Sequence, residues 1–157
     1  MSASARPPVL IVGGGIGGLG AALALSRKGI ASHVIEQADE FKEIGAGIQL
    51  GPNVFRMFEY LGITGEMNKW VVFPEALEMR DSITGETFIN LPVDERFWSK
   101  YHAPYAVVHR ADMLNVIHDA CRKSDLIKLT TSQKVVGFDE TATGVTVRTD
   151  KGATIAG

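Results

Sequence analysis

A parallel α/β fold is what this 157-residue sequence predicts, and three observations predict it. An apolar run, Val9-Leu10-Ile11-Val12, leads directly into a stretch that holds six glycines between Gly13 and Gly20. A segment rich in Ala and Leu follows, and Ser32-His33-Val34-Ile35-Glu36 then resumes as a second strand. Strand, glycine turn, helix and strand in that order form a βαβ unit, whose crossover makes the two strands parallel.

Each element has a local cause. Val9 to Val12 is short, apolar and β-branched, and Pro7 and Pro8 precede it, which suits a buried strand. Gly13, Gly15 and Gly18 have GxGxxG spacing at the strand-to-helix junction, so the unit is Rossmann-like. Gly13 permits the tight turn, Gly15 lets backbone approach a pyrophosphate, and Gly18 lets the helix pack closely. The helix is expected from Leu19 to Lys28, with Arg27 and Lys28 in its last turn and Gly29 as its stop. Ala22 keeps small the face that lies on the sheet. Glu36 stands 18 positions beyond Gly18, where a carboxylate accepts both ribose hydroxyls of an adenosine and repels a 2′-phosphate.

A second glycine run, Gly45-Ala46-Gly47-Ile48-Gln49-Leu50-Gly51, reads as an extended connection beside a bound ligand, because glycine frees space where backbone passes close. Pro52 opens an amphipathic helix with Val54, Met57, Phe58 and Leu61 at i, i+3, i+4 and i+7, and Gly62 closes it. Met57 and Phe58 are expected in the core. From Val71 to Asn90 the pattern alternates around a Thr84-Gly85 turn and predicts a β-hairpin. The aromatic run from Arg96 to His102 reads as a loop whose rings pack on that hairpin, with a substrate wall or subunit contact as the alternatives. Tyr105 to His109 is a strand, and a helix from about Asp112 to Lys123 has Leu114, Ile117 and Cys121 on its apolar side. Leu126 to Leu129 should be a third parallel strand. Lys134 to Asp139, Val145 to Thr149 and Ala153 to Ile155 complete a C-terminal β-meander. Met1 to Arg6 reads as a short flexible start.

Composition removes several function classes. The formal charge of -2 offers no electrostatic footprint for nucleic acid. One cysteine forbids an internal disulfide framework, and the four histidines lack metal-ligand spacing. Pro7 to Ser26 is uncharged, but glycine costs a helix about 1 kcal/mol relative to alanine. Six of them argue against a signal peptide or a membrane span, and the expected location is cytoplasmic.

Three motifs together carry a family resemblance: Gly13-x-Gly15-x-x-Gly18 with Glu36, then Glu43 to Asn53, then His109-Arg110-Ala111-Asp112. In this order and spacing, over essentially the whole chain, the sequence resembles the FAD-dependent aromatic hydroxylases. These are single-component flavoprotein monooxygenases, and the likeness is greatest to the 3-hydroxybenzoate 6-hydroxylase and salicylate hydroxylase group. The resemblance implies FAD as cofactor, NADH or NADPH as reductant, and transfer of one oxygen atom from O2 to a hydroxybenzoate-type ring. It implies that Gly13, Gly15, Ile16 and Gly18 hold the pyrophosphate and that Glu36 and Gln37 hold the adenosine end. Ala46, Gly47 and Ile48 would lie near the flavin, and Arg110 would contact FAD. No phosphate role follows for Lys42 or Glu43, which stand where relatives often have an arginine. Arg110, at a strand-to-helix junction, is placed to meet a pyrophosphate through its planar fork; pairing with Asp112 or local capping is the alternative.

The resemblance also divides the chain. Residues 1–70 and 105–157 are expected in the FAD-binding domain, and 71–104 in part of an inserted substrate-domain sheet. Complete members are well over twice this long, and their Asp-Gly and later Gly-Asp motifs are not present here. An N-terminal portion, inactive alone and without a catalytic residue of its own, is therefore the expectation. A strand missing beside Val9 to Val12 would leave an apolar edge open, so the chain is expected to form a homo-oligomer. An NAD-dependent dehydrogenase fragment and a non-catalytic nucleotide-binding or assembly module stay open as alternatives.

Overall fold

The computed structural model describes residues 7–42 and 45–157. The expected flexible start and the Glu43-Ile44 opening of the second motif lie outside the described residues. In chain order the elements are β1 (Val9–Val12), α1 (Ile16–Ser26), β2 (Ser32–Ile35), β3 (Gly47–Leu50), α2 (Pro52–Leu61), α3 (Thr64–Met67), β4 (Ala76–Arg80) and β5 (Thr87–Pro92). They continue with α4 (Glu95–Tyr101), β6 (Ala106–His109), α5 (Arg110–Arg122), β7 (Ile127–Thr130), β8 (Val135–Thr141), β9 (Gly144–Thr149) and β10 (Thr154–Ala156). The chain forms two compact units, one of Met1–Ile44 with Met113–Gly157 and one of Gly45–Asp112.

The first unit contains the parallel sheet that the βαβ reading requires, with strand order β1-β2-β7. Val9 pairs with Ser32 and Val12 with Ile35; Ser32 pairs with Ile127 and Ile35 with Thr130. The central strand, β2, is buried along its whole length. Leu19, Ala22 and Leu23 of α1 and Leu114, Ile117 and Cys121 of α5 are buried in the core. Burying side chains of the Leu or Ile class contributes about 1.5–3 kcal/mol each. The Cys121 thiol donates to the Leu19 carbonyl at 3.4 Å, and burial pushes its pKa up to about 11. The C-terminal meander is an antiparallel sheet in the order β10-β9-β8, with an Arg148–Asp139 ion pair on it.

His33 is buried on β2, its Nε2 within 2.8 Å of the Thr130 hydroxyl. Burial first, and then the charge of Lys128, hold its pKa below the ordinary histidine value. His118 is lowered in the same sense by burial, with Arg122 adding to the fall and Asp119 opposing it. A depressed histidine pKa means that the unfolded chain binds more protons below about pH 6.5. Stability is therefore fully present above that value and is lost as pH falls through it toward the folded-state pKa. The melting temperature should drop from about pH 7.5 to about 5.5, and His33→Gln should flatten part of the drop. Parallel pH profiles for the two proteins would remove His33 from the account.

The second unit pairs β3 antiparallel to β6 and β4 to β5 as the expected hairpin, whose turn has Gly85 at φ 76°. Phe55, Phe58 and Leu61 of α2 are buried, and Gly62 ends that helix in the left-handed conformation at φ 72°. Met57, expected in the core, is 50 % exposed: the buried stripe of α2 is centred on Phe55 and Phe58 instead.

Two further expectations need correction. The run from Arg96 to His102 is helix α4 rather than a loop, because the Asp94 carboxylate accepts from the Arg96 N–H and caps it. Its Phe97 ring packs on Tyr101, centroids 4.6 Å apart, and both line a cleft with Leu91 and Pro92 of the hairpin. Helix α1 begins at Ile16, three residues earlier than propensity places it. Tertiary packing outweighs the cost of Gly17, Gly18 and Gly20 in its first turns.

Candidate functional site

The chemistry of the first unit collects at the carboxyl ends of β1 and β2, where the chain turns from strand to helix. Gly13 has φ 104°, a conformation that side chains disfavour, and its N–H donates to the Ile35 carbonyl at 2.9 Å. Gly15 is the N-cap of α1; no side chain caps it and no acid lies in the first turn. The N–H groups that open the 11-residue helix thus keep their donors and the positive end of the dipole. A Cβ on Gly15 or Gly17 would meet nothing within 4 Å, so the approach to these donors is clear. A Cβ on Gly18 would overlap the Gly13 carbonyl oxygen and crowd Ile11. The helix rests on its own turn only because position 18 has no side chain.

Glu36 lies just past β2 and fixes the rim. One carboxylate oxygen accepts from the Gly14 N–H at 2.6 Å and the other from the Ala38 N–H at 2.8 Å. Each carboxylate oxygen has a further lone-pair direction, so a ribose diol still finds acceptors. A second anionic group, such as a 2′-phosphate, would meet this charge directly. Beside the turn is a cleft of about 170 Å³ lined by Val12, Gly13, Ile35, Glu36, Gln37, Gln133 and Val135. Open N–H donors, a side-chain-free turn and a carboxylate at the rim fit a dinucleotide whose adenosine ribose is not phosphorylated.

Phe41 forms a wall that the sequence did not disclose. A Cβ on Gly14 would run into its ring, and that ring stacks on His118 with centroids 4.9 Å apart. His118, read in sequence as an ordinary polar residue, therefore buttresses the turn through Phe41. Gln133 was missed as well. A lone glutamine after a strand gives no signal until the fold brings it to the cleft.

The second unit holds Ala46, Gly47, Ile48 and Arg110. Ala46 and Gly47 are exposed and Ile48 is half-buried. Arg110 is the first residue of α5 rather than a residue ahead of the helix. Its N–H reaches the Ala46 carbonyl at 3.4 Å. A Cβ on Gly45 would stand 3.2 Å from the Arg110 Cβ and 3.4 Å from its Cδ. Gly45 thus makes room for the arginine stem, a use not expected from the glycine run. This unit also has an aromatic cavity of about 150 Å³ with Phe55, Phe73 and Trp98 in its walls. Among the described residues no group of three or more His, Cys, Asp or Glu side chains could hold a metal ion. No described helix is long and apolar enough to cross a membrane.

Comparison with known proteins gives a consistent result. The family model described as FAD binding domain matches residues 6–155. The 3-hydroxybenzoate 6-hydroxylase of Polaromonas naphthalenivorans is 41% identical over 140 residues, 89% of this chain and 35% of the relative. That of Klebsiella oxytoca is 41% identical over 143 residues, 91% of this chain and 36% of the relative. This chain thus spans about a third of the length of these curated relatives. Among solved structures, Klebsiella pneumoniae HpxO complexed with FAD and uric acid superposes with a TM-score of 0.80 at 28% identity, covering 96% of this chain and 37% of that one. A 2-methyl-3-hydroxypyridine-5-carboxylic acid oxygenase shares the fold, with a TM-score of 0.80 at 20% identity over 96% of this chain and 37% of that one.

Proposed function

This chain belongs to the FAD binding domain family, and on that premise we propose that it is the N-terminal FAD-binding part of a flavin-dependent monooxygenase. The reaction is hydroxylation of a hydroxybenzoate-type aromatic acid with NADH or NADPH and O2. The observation that carries the reading is the uncapped helix N-terminus of α1 standing behind the Glu36 carboxylate on one rim. The hydroxybenzoate substrate rests on the two 41%-identical relatives.

FAD, when bound, supplies the redox chemistry. The protein's own residues bind and orient it. Gly13, Gly15, Ile16 and Gly18 receive the pyrophosphate on main-chain N–H groups, while Glu36 and Gln37 take the adenosine end. Ala46, Gly47 and Ile48 border the flavin side, and the Arg110 guanidinium offers a planar fork to the cofactor. Residues 71–104 belong to an inserted substrate-domain sheet. The chain alone binds the cofactor without turnover, self-associates, and works in the cytoplasm.

Ligand-induced stabilisation tests the reading directly, since a molecule that binds only the folded state raises its melting temperature. FAD should raise it saturably and NAD should not; equal or greater stabilisation by NAD would return the dehydrogenase alternative. Arg110→Ala should weaken FAD binding about tenfold, the loss of one charge-assisted contact. An unchanged dissociation constant in a fluorescence titration would take Arg110 out of the site.

A further inference from the structure

The aromatic cavity of the second unit has no part in the proposed function. Three helices build it, and each contributes two residues four positions apart, the spacing that puts side chains on one helix face. Helix α2 supplies Phe55 and Glu59, α3 with its C-cap supplies Thr64 and Asn68, and α4 with its C-cap supplies Trp98 and His102. His102 takes the left-handed conformation at φ 56°, and Ala103 and Pro104 follow it into the same wall.

Burial divides the cavity into a floor and a rim. Phe55 and Ala103 are buried and make an apolar floor. Phe73, its ring centroid 6.1 Å from that of Phe55, and Trp98 are about half exposed and form the sides. Glu59, Asn68 and His102 are exposed and stand at the rim. A volume of about 150 Å³ is that of an apolar cavity that holds one benzene ring.

Two features set the chemistry of the group that such a ring must carry. The Thr64 Oγ1 is buried without a hydrogen-bond partner, and an orphaned buried polar atom calls for an explanation such as a ligand. Glu59 brings a negative charge, and neither lysine nor arginine joins it in the lining. An aromatic carboxylate, such as the hydroxybenzoate of the proposed reaction, would meet that charge with its own. An ammonium group would pair with Glu59 instead, and one of its N–H groups would donate to Thr64. Aromatic sides favour a cation in the same sense.

We propose that this cavity binds a monocyclic aromatic amine, with the ring on Phe55 between Phe73 and Trp98. The ammonium group then lies between the Glu59 carboxylate and the Thr64 hydroxyl. This assignment stands apart from the FAD reading, since it uses no residue given to the cofactor.

The test titrates the full 157-residue chain with three probes of similar shape and different charge: phenethylamine, phenethyl alcohol and phenylacetate. NMR at about pH 8, where an alkylamine is still protonated, reads the affinities. Wild-type protein should bind the amine about fivefold more tightly than the alcohol, and the acid more weakly than either. Glu59→Gln changes an exposed position and should bring amine and alcohol within about twofold of each other. Trp98→Ala should weaken the amine about tenfold through loss of a wall. A cooperative melt without ligand establishes that Trp98→Ala folds; if it does not, the wild-type and Glu59→Gln comparisons decide alone. Wild-type protein that binds amine and alcohol alike, or none of the three at millimolar concentration, overturns the proposal. So does Glu59→Gln that keeps the preference, or a folded Trp98→Ala with unchanged affinity.

Discussion

Gly18→Ala is expected to lower the unfolding free energy by about 1–3 kcal/mol and to abolish measurable FAD binding. Two effects compete at this position. Within α1, alanine is favoured over glycine by about 1 kcal/mol on helix propensity alone. Against that, the new Cβ would overlap the Gly13 carbonyl oxygen, a main-chain atom at the start of the turn, with Ile11 crowded behind it. A flexible side chain could swing away, but a carbonyl fixed between β1 and α1 moves only with the turn. The clash therefore wins, and the displaced turn is the one assigned to the pyrophosphate. Gly17→Ala is the matched control, because its Cβ would enter open space; propensity then acts alone and stability should hold or rise. Urea denaturation and FAD titration of the pair would decide. Equal stability in the two variants would mean that the turn yields more easily than its geometry implies.

Glu36→Gln is expected to weaken FAD binding by about 10- to 100-fold, from the loss of charge-assisted hydrogen bonds worth about 1.5–3 kcal/mol. The carboxylate now accepts from two main-chain donors, Gly14 and Ala38. An amide keeps one acceptor and turns a second donor toward an N–H, so the rim is disturbed as well as the contact with the ribose. The variant should melt lower even without ligand, and calorimetric titration would read the affinity. A substitution that reduced affinity with no effect on the free protein would mean that the bonds to Gly14 and Ala38 add little to the rim.

The parallel core of the first unit was legible in the sequence because each of its parts has a strong local signal. Val9 to Val12 is uniformly apolar and forms the strand, although Val9 and Val12 are exposed rather than buried. Gly13 adopts positive φ, and Gly29, at φ 72°, lies in the turn after α1 has ended at Ser26 with Arg27 as its C-cap. The hairpin was legible from Thr84-Gly85 in the same way. What was not legible depended on contacts between distant residues. Glycine propensity hid the start of α1, which packing restores. Aromatic content hid α4, although Asp94 ahead of Arg96 was a capping signal available to the reading. Met57 fitted the helical stripe by spacing and still faces out, since spacing fixes a stripe but not its centre. Within the candidate site, the glycines and Glu36 are a local motif. Phe41, His118 and Gln133 reach the turn from 27 to more than 100 positions away and have no motif at all.

The thiol of Cys121 gives the fold a clock. It is sealed against the Leu19 carbonyl of α1, the helix whose first turn carries the open N–H groups. It is the thiolate that attacks a thiol-modifying reagent, and a pKa of about 11 together with burial leaves almost none exposed at neutral pH. Labelling must then wait for an opening that exposes Cys121 at the seam between α1 and α5, so its rate counts such openings. Because the only cysteine in the chain sits at that seam, the count needs no engineered probe, and a ligand that holds α1 down would slow it.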